Sequence, residues 1–292
     1  MDTLRSYLLA TRPKTLPAAI VPVWVGCALA WKMTGGIDPR LALFTVLSAL
    51  CIQVATNLFN DVIDDQKGAD TAGRLGPQRV TGSGLLSRRA VYLGAFVFIG
   101  LACVCSVPLI EARGWTIIAI GIPSLYLAYG YTGGPFPLAY LGLGEVFVVL
   151  FFGLVAVGGT FFVQTGMWSW PAGALGLQVG MLSAVLIAIN NLRDVEEDRR
   201  SGKKTLAVRF GSTSLGVLNW IFVTGAFLLG FLGPQYGASW MPICSLSWLG
   251  LGIWCAAGTR RAPPGRRYNR YLAGAALQLV LFAGAFTAAV VI

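Results

Sequence analysis

Two short stretches combine carboxamides and carboxylates at one repeated spacing: Asn57, Asp61 and Asp65, then Asn190, Asp194 and Asp198, each displaced by 133 residues. Each stretch closes a long apolar run. Residues four apart on a helix lie one above the other, so each triplet makes a ladder of oxygen ligands, and Asp64 adds a carboxylate to the first. Two ladders facing each other would be strongly anionic, since unit charges 4 Å apart repel by about 4 kcal/mol at an effective dielectric of 20. A divalent metal relieves that crowding. Oxygen ligands in a chain without histidine favour Mg2+, with Mn2+ as a substitute, over zinc or copper. Mg2+ commonly takes one or two carboxylates plus substrate phosphate oxygens, and the surrounding Lys and Arg residues suit a polyanion as the remaining ligand.

A metal-bound diphosphate on a membrane-embedded scaffold suggests an isoprenoid or another lipid diphosphate. Metal and cations would stabilise the departing diphosphate, and aromatic rings an allylic cation. Tyr131, at the edge of an apolar run, is the candidate to put its ring or hydroxyl into the pocket. Such chemistry needs no side-chain nucleophile, in keeping with the absence of histidine and of a recognisable catalytic triad.

The elements that must position these residues are membrane helices. The chain is 56% apolar and 12% charged, far from a soluble composition. Runs long enough to cross about 30 Å of hydrocarbon predict nine spans: 16–31, 41–60, 90–110, 114–130, 138–163, 170–191, 215–233, 240–258 and 268–292. The expected fold is all-α and polytopic. Residues 1–292 form a single domain of two four-helix pseudo-repeats, about 16–131 and 138–258, plus a ninth helix. Each pseudo-repeat carries its ladder at the end of its second helix.

The net charge of +10 reflects orientation rather than nucleic-acid binding. All basic residues except Lys32, Arg40 and Arg113 fall on one face of the nine-span arrangement, which the positive-inside rule makes cytoplasmic. The N-terminus and both ladders therefore face the cytoplasm, with the C-terminus outside. Lys14, in Arg12-Pro13-Lys14 at that edge, serves as an orientation charge or a substrate contact. Glu145 is expected to face the bundle interior as packing or pocket lining, because a charged mid-helix side chain costs about 2.5–3.5 kcal/mol on insertion scales. The glycines and hydroxyls beside Arg79 can surround phosphate oxygens. All six cysteines fall in predicted spans without zinc-site spacing and are expected to be buried free thiols.

At these residues the chain resembles the UbiA superfamily of intramembrane aromatic prenyltransferases. The similarity lies in both Asn-x3-Asp-x3-Asp motifs, the basic Gly-rich stretch from Arg79, Tyr131, and Gly202-Lys203-Lys204-Thr205-Leu206. Arg12–Ala19, Lys67–Asp70, Gly142–Glu145 and Asn191–Asp194 look most like the 1,4-dihydroxy-2-naphthoate polyprenyltransferases of menaquinone synthesis. The resemblance implies a Mg2+-dependent enzyme of the plasma membrane. Its partners would be a polyprenyl diphosphate, a small aromatic acceptor and the bilayer, and its product a demethylmenaquinone formed with decarboxylation. It implies metal or diphosphate roles for Asn57, Asp61, Asp65, Asp194 and Asp198, with Asp64 beside them, and diphosphate contacts for Arg79 and Lys203. Asn190, Arg193 and Lys14 are further substrate-binding candidates; Asp61, Asp194, Tyr131 and Lys203 are the catalytic ones. Where many relatives carry a basic pair after the span-four Tyr, this chain has Thr132-Gly133-Gly134. The alternatives are another acceptor, such as 4-hydroxybenzoate or homogentisate, and an ion-coupled transporter built on the repeats.

Overall fold

In the computed structural model, which describes residues 3–69 and 74–292, every regular element is helical. Asp70, in the resembling stretch Lys67–Asp70, lies outside the described residues. In chain order the helices are α1 (Thr3–Ala10), α2 (Pro17–Thr34), α3 (Pro39–Gln66), α4 (Arg88–Arg113), α5 (Trp115–Gly130) and α6 (Gly144–Val148). Then come α7 (Ala156–Thr165), α8 (Trp170–Arg193), α9 (Val195–Arg200), α10 (Leu206–Leu229), α11 (Met241–Cys244), α12 (Leu246–Arg261) and α13 (Tyr268–Val291). A π-helical stretch, Val149–Val155, joins α6 to α7 in one rod.

Among the described residues, seven helices are long and apolar enough to cross a membrane: α2, α3, α4, the α6–α7 rod, α8, α10 with its 3-10 extension, and α13. The chain is a multi-pass membrane protein. Two of the nine predicted spans are shorter than expected. The fourth is α5, whose 16 residues cover about 24 Å; the eighth is divided at Ser245 between α11 and α12. The fifth starts later than predicted. Within the predicted 138–163 run, Gly142 takes a left-handed φ of 72°, so helix begins only at Gly144. Glu145 therefore sits in the first turn of its helix rather than two turns inside.

Helix α3 begins where Asp38 Oδ1 accepts from the N–H groups of Arg40 (2.8 Å) and Leu41 (3.1 Å), with Pro39 at the first helical position. Its 28 residues extend about 42 Å, longer than about 30 Å of hydrocarbon. The first acidic ladder occupies the C-terminal end of this long helix. Helix α8 packs against the π-helical stretch at backbone contact. A Cβ on Gly153 would stand 2.3 Å from the carbonyl oxygen of Gly176, and one on Gly180 2.6 Å from that of Val149. This approach helps bring Phe147, Phe151 and Phe152 to the wall of an internal cavity. The cysteines are unpaired, but only Cys255 is buried and Cys103 is exposed on the outer surface of α4.

Candidate active site

The ends of α3 and α8 line one cavity, together with residues from the segments 74–84, 131–143 and 194–205, the roof segments. Asp64, from the first acidic stretch, is its most heavily engaged carboxylate. It accepts from Arg79 Nη2 (3.2 Å) and the Tyr140 hydroxyl (3.1 Å), and Lys203 Nζ lies 3.0 Å away. Asp61 faces the adjacent loop, accepting from the N–H groups of Thr81 (2.9 Å) and Val80 (3.3 Å), with Arg79 4.0 Å distant. Asp65 points elsewhere and pairs with Arg88 at 2.7 Å near the exposed rim. Helical phase explains the difference: at 100° per residue, Asp64 falls about 20° from Asn57, whereas Asp65 has rotated about 80° away.

Asn57 ties the N-terminal segment to the site. Its Nδ2 donates to Thr15 Oγ1 (3.0 Å) and the Thr11 carbonyl (2.9 Å), while Gln53 donates to its Oδ1 (3.3 Å). Lys14 is exposed, whereas its neighbour Arg12 lines the cavity. Arg12 is the one non-glycine residue with positive φ (50°) among the described residues, a conformation that costs energy and concentrates at functional sites.

The second ladder does not continue as one helix. Helix α8 ends at Arg193, Asp194 takes a non-helical conformation (φ −97°, ψ 10°), and Asp198 sits on the separate α9. Arg193 grips Asp194 with two bonds, Nε to Oδ1 at 2.7 Å and Nη2 to Oδ2 at 2.6 Å, and also donates to Asn190 (2.8 Å) and Asn269 (2.8 Å). Asn269, at the start of α13, donates in turn to the carbonyl of Leu75 (3.0 Å). Lys203 reaches Asp198 at 3.8 Å. Burial pushes the Asp198 carboxyl up to about 7; Lys203 pulls against the rise, and Asp194 and Asp64 add to it. For Lys203, burial disfavours the cation, but Asp64 and Asp198 prevail and raise its pKa above the ordinary lysine value.

The sequence pattern does not single out Tyr140, and it assigns no site role to Lys67 or Thr132. Tyr140 lies in the turn-rich segment before Gly144, and its carbonyl accepts from the Lys204 N–H at 3.0 Å. Its ring has Lys67 Nζ 3.8 Å and Lys203 Nζ 5.0 Å from the centroid. Lys67 also donates to the Thr132 carbonyl (2.8 Å), bringing a cation from α3 to the segment that lacks the basic pair. Thr132 donates in turn to Asn60. Only tertiary contact assembles these groups, and no local spacing announces them.

The roofed cavity, of about 210 Å³, is lined by Asn57, Asp64, Arg79, Tyr131, Asn190, Asp194, Asp198 and Lys203. A second, apolar cavity of about 200 Å³ continues between α2, α3, α5 and the α6–α7 rod. Ala18, Gln53, Thr56, Phe147 and Phe152 line both. The two cavities share a wall, so a charged head and an apolar tail have adjoining spaces to occupy.

The donor chemistry fits a hard divalent cation, since the cavity offers carboxylate and carboxamide oxygens. No group of three acids converges as a preformed cage among the described residues. That is compatible with Mg2+, which needs only one or two protein carboxylates beside phosphate oxygens and water. Arg79, Arg193 and Lys203 supply charge neutralisation in the structure itself.

The UbiA prenyltransferase family profile matches residues 19–289, nearly the whole chain. The chain belongs to the UbiA prenyltransferase family. It is thus a prenyltransferase, and the transporter alternative falls away. The chain is similar to 1,4-dihydroxy-2-naphthoate octaprenyltransferase of Haemophilus influenzae, at 34% identity over 78% of this chain and 76% of the relative. It is also similar to 2-carboxy-1,4-naphthoquinone phytyltransferase of Synechocystis sp., at 30% identity over 84% of this chain and 80% of the relative. The fold matches a UbiA homologue from Archaeoglobus fulgidus solved bound to GPP and Mg2+, with a TM-score of 0.67, 17% identity, and coverage of 98% of this chain and 100% of the other.

Proposed function

We propose that the protein transfers a polyprenyl group from polyprenyl diphosphate to 1,4-dihydroxy-2-naphthoate, with loss of the acceptor carboxylate as CO2, giving the hydroquinone form of a demethylmenaquinone. The observation that carries this reading is a pair of adjoining cavities: one under the roof where bases (Arg12, Arg74, Arg79, Lys203) face acids (Asp64, Glu145, Asp194, Asp198), and an apolar one below. Relatives named for naphthoate and carboxynaphthoquinone acceptors support the choice of ring. The Arg and Lys groups of the polar cavity offer partners for an anionic, electron-rich ring.

In this mechanism Arg79 and Lys203 hold the diphosphate oxygens and stabilise the negative charge that develops as the allylic C–O bond breaks. Tyr131 and Phe147, whose ring centroids are 5.3 Å apart, offer π-faces to the electron-poor allylic carbon. Asp64, Asp194 and Asp198, with Asn57 and Asn190 near them, are the residues that would hold Mg2+. When bound, that ion supplies further neutralisation of the leaving diphosphate. Attack through the ring carbon bearing the carboxylate makes decarboxylation the route back to aromaticity.

The same reading includes nine crossings in two pseudo-repeats, with α5 and α12 as the short members, and a plasma-membrane location with the polar roof on the cytoplasmic side. The decisive experiment is mass spectrometry of products from purified protein offered several prenyl diphosphates and aromatic acceptors. Carboxyl-labelled dihydroxynaphthoate should release labelled CO2 only with prenyl diphosphate and Mg2+. Turnover of 4-hydroxybenzoate or homogentisate, with none of the naphthoate, overturns the acceptor assignment.

A further inference from the structure

Glu145 is buried to 1% exposure at the start of α6 and lines the polar cavity. One of its oxygens is satisfied: Oε1 accepts from Asn191 Nδ2 at 2.9 Å. The other, Oε2, has no hydrogen-bond partner. A buried carboxylate oxygen without a donor is costly unless something else supplies one. Ser183 Oγ, also buried and unpartnered, lines the same cavity.

Position narrows what the missing donor is. Asn191 lies about one helical turn below Asp194, so Glu145 sits just beneath the diphosphate-facing groups. Tyr131 is beside it: a Cβ on Gly144 would stand 2.9 Å from the Tyr131 hydroxyl. The surrounding cavity wall includes Phe147, Leu186 and Ile187. This pairs a carboxylate acceptor with an apolar surface suited to a flat ring, at the level where the reacting carbon of a prenyl diphosphate would lie.

We propose that Glu145 Oε2 receives the ring hydroxyl of the aromatic acceptor and serves as a catalytic proton acceptor and donor; the naphthoate form of this inference rests on the function proposed above. The hydroxyl beside the acceptor's carboxylate gives its proton to Glu145 as the carboxylate-bearing ring carbon bonds to C1 of the prenyl group. The allylic C–O bond breaks, and its electron pair leaves with the diphosphate. The ring is now a ketone with a carboxylate on the adjacent carbon. Loss of CO2 leaves the C–C electron pair in the ring as an enolate, and Glu145 returns the proton to that oxygen. The hydroquinone is restored, Glu145 ends as it began, and no oxidant or reductant enters. Asn191 holds the carboxylate in place and is a positioning residue.

The test compares Glu145→Gln with Glu145→Asp in the purified full-length protein. Gln keeps the size of the side chain and an oxygen for Asn191, but lacks a carboxylate; Asp keeps the carboxylate on a shorter stem. The readouts are kcat for the acceptor and calorimetric binding of inorganic diphosphate with Mg2+. The expected result is a fall in kcat of about 10²–10⁴-fold for Gln, a smaller fall for Asp, and diphosphate binding within about twofold of wild type for at least one variant. Gln equal to or faster than Asp assigns Glu145 to packing and overturns the proposal, as does a parallel loss of diphosphate binding and turnover in both variants. If wild type prenylates a different phenolic acceptor and no dihydroxynaphthoate, the acceptor reading fails. The same rank order measured on that phenol then decides the role of Glu145.

Discussion

Lys203 Nζ lies 3.0 Å from Asp64, so one ammonium group joins the loop after α9 to the end of α3. Asp198 is also within its reach, and all three side chains are nearly or fully buried. Replacing Lys203 by Ala removes a cation from the diphosphate cavity and leaves those carboxylates facing each other. Turnover is expected to fall by about 10²–10³-fold, with a higher KM for prenyl diphosphate. Steady-state kinetics with varied prenyl diphosphate check this.

The acidic residues of α3 are expected to differ sharply despite being adjacent. Asp64→Asn removes a carboxylate aimed into the cavity and should reduce Mg2+-dependent turnover by about 100-fold or more. Asp65→Asn breaks only the rim pair with Arg88, and exposed pairs contribute little, so its activity should stay within about tenfold of wild type. Equal loss in the two variants, measured at saturating Mg2+, would mean that Asp65 turns inward during the reaction.

The Asp198 carboxyl, pushed up to about 7 in the metal-free site, predicts a pH-dependent metal affinity. Below that value the group is increasingly protonated, and a metal must displace the proton to use it as a ligand. The Mg2+ concentration for half-maximal activity should be nearly constant above about pH 8 and rise toward tenfold per pH unit below about 6. Activation curves at pH 6, 7 and 8 give the test.

Gly121 lines the apolar cavity, and a Cβ there would meet no atom within 4 Å. Gly121→Phe should therefore fill space intended for the prenyl tail without disturbing the roof. Turnover of a long-chain diphosphate is expected to drop several-fold relative to a short-chain one, as competition between geranyl and longer diphosphates would reveal.

Gly153→Ala probes the backbone contact between α8 and the π-helical stretch. The added methyl would meet the Gly176 carbonyl at 2.3 Å, and backbone cannot swing aside as a flexible side chain can. Destabilisation of about 1–3 kcal/mol should appear as a lower melting temperature in detergent.

The Asn/Asp pattern was legible because carboxylates are rare in an apolar chain and a spacing of four has a direct helical meaning. Its limits were equally physical. A spacing of four drifts about 40° per step against the helix, which carries Asp65 off the face where Asp64 remains. The break at Asp194 could not be read from spacing, because it depends on the grip of Arg193 and the docking of α9. Tyr140 enters the site from a turn that apolar length alone assigns to span five, with Gly142 as the sign of the break, and Lys67 reaches that turn from the end of α3. Composition did carry the multi-pass, all-helical architecture, since apolar length is its immediate cause.

The surplus length of α3 divides the fate of the two products. In the proposed orientation the roofed end of α3 faces water, so the diphosphate of the proposed reaction is discharged there and diluted. The prenylated ring is formed at the mouth of an apolar cavity and keeps its tail in the oil phase. Under the proposed function each turnover thus partitions its products between two solvents, and accumulation of the prenylated product in the bilayer need not slow the loss of diphosphate to the other side of that boundary.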